Sequence, residues 1–212
     1  MVSVSRFDCP HKNYLLGLID DYAKLKPEYT KLSLHIVGYG KGQNVVKKRI
    51  ADLPPEVRRD VFLHGTMDVQ QLADFLKEMS LNISVAGSAS IGARLGVLTI
   101  PARNFCEDVC EVYGFYPEAG SMTTAIVPGE AAIGYIRQVV EMSEEEYIQK
   151  SQLCYSFSIN RSVDPEYLFK QIPKENQNLR QYAFFFVSNR YFHTLAYKIK
   201  MIVKRGLGKS KK

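Results

Sequence analysis

Apolar positions alternate between two periods over the first 130 residues or so. Short runs of β-branched and aliphatic residues predict strands at Val2–Ser5, Leu32–Val37, Val61–Leu63, Leu81–Val85 and Val97–Ile100. Between them the spacing turns helical. Leu15, Leu16, Leu18, Ile19, Tyr22 and Ala23 form the apolar face of a helix predicted over 13–26. Shorter helices are predicted over 44–51, closed by Pro54-Pro55, over 69–79 with Asp68 as N-cap, and over 91–95. Past residue 130 the pattern is helical, over 130–141, 143–157 and 164–171.

Strands separated by helices at a period of about 25–30 residues imply right-handed βαβ units and a parallel sheet. The expected fold is α/β, a Rossmann-like three-layer α/β/α domain over residues 1–160. A helical C-terminal extension follows over 161–212.

Composition narrows the function classes. The chain has 212 residues, 46% of them hydrophobic, enough for a substantial core. It carries no run of 18 apolar residues and no charged-then-apolar leader pattern, so a cytoplasmic protein is expected. Cys9, Cys106, Cys110 and Cys154 lack the spacing of a zinc site and read as free thiols. The net charge of +6 is concentrated in the tail, where residues 190–212 hold eight Lys or Arg and no carboxylate. The other 189 residues carry a net −2, which argues against a nucleic-acid-binding surface.

Candidate chemistry gathers after the strands. Arg6 and Lys12 follow the first strand, at the sheet edge where α/β proteins bind ligands. A planar fork and a mobile point charge together suit a diphosphate. Gly87, Ser88, Ala89 and Ser90 lie between a strand and a helix, and read either as an anion-binding helix N-terminus or as an ordinary N-cap. Gly38-Tyr39-Gly40 is no dinucleotide fingerprint, because Gln43 stands at the third glycine's place and the strand before it is the second in the chain. It reads as a loop that admits a ligand to the backbone, or as a tight turn. Arg103 is a further phosphate-contact candidate at a strand end. No metal site and no Asp-x-Asp motif is expected.

These residues carry a resemblance. Val4-Ser5-Arg6-Phe7-Asp8 with Lys12, then Leu34-His35-Ile36-Val37-Gly38-Tyr39-Gly40, Val61-Phe62-Leu63-His64-Gly65, the small-residue loop, and Leu95-Gly96-Val97-Leu98-Thr99-Ile100-Pro101 follow one another in an informative order. Over residues 2–150 the chain resembles the C-terminal, donor-binding half of a GT-B glycosyltransferase of the group 1 type, which builds bacterial capsule and other surface polysaccharides. The resemblance implies a UDP- or GDP-sugar as substrate, with no cofactor. It places the diphosphate on Arg6, Lys12 and the helix N-terminus at 87–90, and the nucleobase near Gly65-Thr66-Met67. It also implies a separate acceptor half preceding this one, so this chain alone is expected to be an incomplete enzyme.

The chain departs from that family in one respect. The family's pair of glutamates, eight positions apart, is missing: the second would fall near Ile91, and no carboxylate lies between Glu78 and Glu107. Glu107, Asp108 and Glu111 follow the next strand and read either as substitutes or as a solvated helix face. Two rival functions stay open, a UDP-sugar epimerase-like GT-B protein using His11 or His64, and a non-catalytic membrane-associated binding module.

In the tail, Phe192, Leu195, Ala196, Ile199, Ile202 and Val203 form a helical stripe flanked by Lys198, Lys200, Lys204 and Arg205. A basic amphipathic helix suits the anionic inner face of a membrane. It equally suits a seam against the acceptor half, with RNA a third option for the polycationic end.

Overall fold

The computed structural model describes residues 1–106, 108–119 and 129–161, which belong to one compact unit, Met1–Arg161. The extension predicted for 161–212 and its basic stripe, together with Glu107, lie outside the described residues, apart from Arg161, which ends the last helix.

Five strands, β1 (Val2–Val4), β2 (Leu34–Val37), β3 (Val61–His64), β4 (Leu81–Ser84) and β5 (Leu98–Pro101), form a parallel sheet in the order β3-β2-β1-β4-β5. Helices flank it, so the predicted α/β architecture is the observed one.

Helix α1 (Tyr14–Leu25) has no side-chain N-cap, yet it is firmly placed. A missing cap costs about 1 kcal/mol. Burial of each large apolar side chain contributes about 1.5–3 kcal/mol, and Leu15, Leu18, Ile19, Tyr22 and Leu25 are all buried against Leu34 and Ile36. Helix α2 (Gln43–Ala51) lies beside α1, joined to it by the Arg49–Asp20 ion pair at 3.3 Å. Helix α3 (Pro55–Arg58) was not expected: Pro55 does not merely stop the preceding helix but starts a new one, its fixed φ suiting a first helical position.

Helix α4 (Val69–Lys77) packs Leu72, Phe75 and Leu76 on Val2, Val4 and Val37 in a second apolar cluster. Asp68 caps it as expected, within a full capping box: Gln71 N–H donates to Asp68 Oδ1 at 2.8 Å, and Asp68 N–H donates to Gln71 Oε1 at 3.1 Å.

Helix α5 (Ala86–Arg94) corrects the reading of the small-residue run. Residues 86–90 are helical and not a loop ahead of a helix at Ile91. The reason is steric. A Cβ at Gly92 would come within 2.2 Å of Asn82 Nδ2, so small side chains let the helix lie directly on β4.

The remaining elements are a two-residue antiparallel pair, β6 (Glu111–Val112) with β7 (Glu130–Ala131), and helices α6 (Tyr116–Ala119), α7 (Ala132–Glu141) and α8 (Glu144–Arg161). Arg137 of α7 pairs with Glu28 just past α1, and Ser158 Oγ of α8 donates to Ser90 O of α5 at 3.2 Å. Among the described residues no helix is long and apolar enough to cross a membrane.

Candidate functional site

The strand order reverses direction between β1 and β4, and a crevice at the carboxyl end of such a pair is the usual ligand site. Here the ladder is short. Val2 pairs with Asn82, but two residues on, Val4 N–H donates to the Ser84 hydroxyl at 2.9 Å instead of to a strand carbonyl. Ser84 Oγ in turn donates to Asn82 Oδ1 at 2.6 Å, and Asn82 Nδ2 donates to Ser88 O at 3.3 Å. This buried polar chain ties β1, β4 and the first turn of α5 together at the floor of the crevice.

Arg6 and Lys12 stand in the β1–α1 turn. The Arg6 side chain is 71% exposed, and its 3.4 Å pairing with Asp8 is a surface ion pair. Such pairs are worth about 0–1 kcal/mol, so the guanidinium stays available to an incoming anion. Lys12 is half-buried and fixed by donating from Nζ to Asn104 Oδ1 at 2.6 Å. Burial lowers its pKa from the ordinary value, and the positive charge of Arg6 lowers it further against the opposing effect of Asp8. An anion placed between the two cations relieves that cost.

The N-terminus of α5 follows β4, the strand next to β1, at the same sheet edge. Its N-cap, Val85, offers no side-chain cap, and neither Ser88 nor Ser90 supplies one. Ser88 N–H turns back to Val85 O at 3.2 Å. Ala86 is exposed at φ +48°, and a Cβ on Gly87 would meet open space. The partial positive charge of the helix end therefore has no capping side chain to offset it. Ala89 is fully buried, so only its backbone belongs to this helix end.

The loops after β2 and β3 continue the edge. At Gly38 (φ +143°) and Gly40 (φ +153°) the missing Cβ is filled by the chain itself: it would strike Ser5 O at 1.8 Å and Phe7 O at 2.8 Å. Phe7 N–H donates to Tyr39 O at 2.8 Å, so these glycines dock the β2 loop on the β1 turn. The Tyr39 side chain is 57% exposed beside them. Gly65 accepts from Gly38 N–H at 3.2 Å, Thr66 is exposed, and Met67 is half-buried against the α4 cluster.

Of the acidic candidates after β5, the two that the structure describes, Asp108 and Glu111, lie on no helix face. Glu111 lies on β6 and is ion-paired with Arg103; Gly129 N–H donates to its carboxylate at 3.0 Å. That backbone hydrogen bond, and then Arg103, hold its pKa below the usual carboxylate value. Asp108 pairs with Arg49 at 3.1 Å. Arg103 and Glu111 thus spend their charges on each other. His64 is likewise engaged: its Nε2 lies 3.1 Å from His35 Nδ1, and its ring packs on Phe75. Among the described residues no three His, Cys, Asp or Glu side chains are grouped to hold a metal ion.

Sequence reasoning missed Asn104, the partner of Lys12, and the Asn82–Ser84 chain. Polar residues within and just after the core strands β4 and β5 were the available signal.

No protein-family model matches the sequence. No curated protein matches it at a significant level. Solved structures do. A TarM mutant from S. aureus, in complex with fondaparinux, α-GlcNAc-glycerol and UDP, superimposes with a TM-score of 0.57 at 14% identity, over 79% of this chain and 33% of that one. OtsA, a trehalose-6-phosphate synthase, gives 0.57 at 10% identity, over 89% of this chain and 42% of that one. An E. coli protein bound with UDP-2-fluoro glucose gives 0.55 at 11% identity, over 89% and 43%. The chain folds as one Rossmann-like half of a GT-B glycosyltransferase fold. It spans less than half the length of each of these proteins.

Proposed function

We propose that this chain is the donor-binding half of a hexosyltransferase, holding the diphosphate of a UDP- or GDP-sugar between Arg6, Lys12 and the first turn of α5. The observation that carries the reading is an exposed guanidinium beside a fixed, half-buried ammonium in the turn after β1, at the same sheet edge as the uncapped helix N-terminus that follows the neighbouring strand β4. The role of the two cations would be to stabilise charge as it develops on the leaving diphosphate, at no cost of reorganisation. In this reading Tyr39, Thr66 and Met67 border the nucleoside. Similarity in fold to structures that hold UDP or UDP-2-fluoro glucose supports the ligand class.

Turnover in this reading requires an acceptor-binding half. The acceptor is a growing, lipid-linked bacterial surface glycan, and residues 190–212 bring the protein to the anionic inner face of the membrane; both rest on the sequence alone. One observation favours a non-catalytic nucleotide-binding module instead: no carboxylate stands in the first turns of α5. The epimerase-like reading loses support because His64 is engaged with His35 and Phe75, and His11 is stacked on Phe105.

The test is calorimetric titration with UDP, GDP and their sugars. Each cation makes charge-assisted hydrogen bonds worth about 1.5–3 kcal/mol, so Arg6→Ala and Lys12→Ala should each weaken binding about tenfold or more. Unchanged affinity in both variants, with circular dichroism showing a native fold, would remove the site assignment.

A further inference from the structure

The segment after β5 holds a feature that diphosphate binding does not use. Phe105 sits at φ +58°, a region L side chains rarely adopt, and its side chain is 68% exposed. Both the strain and the exposure of a Phe are costly, and such outliers persist where the surroundings over-determine them. The surroundings do so here. Phe105 N–H donates to His11 O at 3.0 Å, and its neighbour Asn104 accepts from Lys12 Nζ. The ring lies on the imidazole of His11, with centroids 4.3 Å apart and planes 20° from parallel. One face is thus backed by a second ring while the side chain as a whole stands open to solvent.

Its place along the sheet edge indicates what it would meet. Although it follows β5 in the chain, Phe105 lies against the β1–α1 turn, bonded to His11 and adjoining Lys12 through Asn104. A nucleotide with its diphosphate at Arg6 and Lys12 and its nucleoside toward the β2 and β3 loops would turn its sugar the other way, toward the segment that carries Asn104 and Phe105 beside Lys12. Among the described carboxylates of this segment, Asp108 is held by Arg49 and Glu111 by Arg103. An aromatic face instead suits the apolar C–H face of a pyranose ring.

We propose that Phe105, backed by His11, is a stacking platform for the hexose ring of the donor. The proposal rests on the donor-binding reading above.

The experiment compares UDP with UDP-glucose, and GDP with GDP-mannose, on the full chain and its Phe105→Ala and Phe105→Tyr variants, by calorimetry. The expected result is a loss of about three- to tenfold in affinity for the nucleotide sugar in Phe105→Ala, the scale of one aromatic stacking contact. The bare nucleotide should be unaffected, and Phe105→Tyr should behave as wild type. Equal weakening of nucleotide and nucleotide sugar, or no weakening of either, overturns the platform. If the wild-type chain binds neither ligand, the donor reading has failed, and the platform is then read separately with free methyl glucoside by saturation-transfer NMR. Transfer to the sugar ring protons in wild type, lost in Phe105→Ala, retains the platform; no transfer in wild type overturns it.

Discussion

Two glycine-to-alanine substitutions in helices should have opposite signs. Gly134 lies in α7, exposed, with open space where a Cβ would be. Gly134→Ala should stabilise by about 1 kcal/mol through helix propensity. Gly17 lies in α1, where a Cβ would sit 2.2 Å from Cys110 N and Val109 C and 2.5 Å from Val109 Cα. These are backbone atoms, and they are pinned: Ala132 N–H donates to Cys110 O at 2.8 Å, Arg103 N–H to Glu111 O at 2.8 Å, and Arg49 holds Asp108. Relief requires the backbone to retreat by roughly 1 Å against a core that resists overpacking, at a cost of about 3 kcal/mol. Losing the hydrogen bond to Cys110 O adds about 1 kcal/mol. The propensity gain offsets only about 1 kcal/mol of this, so Gly17→Ala should destabilise by about 3 kcal/mol. Urea unfolding followed by circular dichroism, with wild type and Gly134→Ala alongside, gives both signs in one series. Amide shifts at Asn104 and Phe105 should also move in Gly17→Ala, because the displaced segment carries them. A Gly17→Ala protein as stable as wild type would refute the close approach of residues 109–110 to α1.

Three further outcomes follow from buried or half-buried charges. Lys26 is buried and donates from Nζ to Thr30 O, Leu32 O and Asp60 at 2.5, 2.8 and 2.7 Å; Lys26→Ala strands these acceptors and should cost about 2–4 kcal/mol in urea unfolding. His35 has its pKa lowered to about 4, first by burial, then by the Met1 ammonium and His64. A lowered histidine pKa means the unfolded chain binds the extra proton, so stability should be full above pH 6.5 and decline by about 1–2 kcal/mol toward pH 4, and His35→Gln should flatten that slope. Lys12, with its pKa below the ordinary lysine value, should lose its charge at a lower pH than a free lysine. Nucleotide affinity should therefore fall on the alkaline side, with proton uptake on binding that disappears in Lys12→Ala; affinity flat to pH 10 would contradict its role.

The parts of the fold written in long periodic stripes were legible in the sequence. The α1 stripe from Leu15 to Tyr22, the Asp68 N-cap and the five strands are local patterns with one dominant reading. The place of Arg6 and Lys12 just past a parallel strand was legible because that strand is a short, local β-branched run. What was not legible depends on partners distant in sequence. The helical state of residues 86–90 depends on Gly92 fitting over Asn82. Phe105 has a φ of +58°, which local propensity would not assign to an aromatic residue. The self-neutralised Arg103–Glu111 pair and the Lys12–Asn104 contact, 92 residues apart, arise only once the segment from Arg103 to Cys110 is laid across α1. The glycines at 38 and 40 signalled a close approach correctly, but the approaching group is the chain's own β1 turn.

The central claim is that Arg6 and Lys12 hold a nucleoside diphosphate in the crevice between β1 and β4. The most direct measurement is a calorimetric titration of the wild-type chain and Arg6→Ala with UDP and GDP at low salt. The account predicts saturable one-site binding of one of these nucleotides, weakened about tenfold or more in Arg6→Ala. Binding that is indifferent to Arg6, or no binding of either nucleotide by the folded wild-type chain, would contradict it.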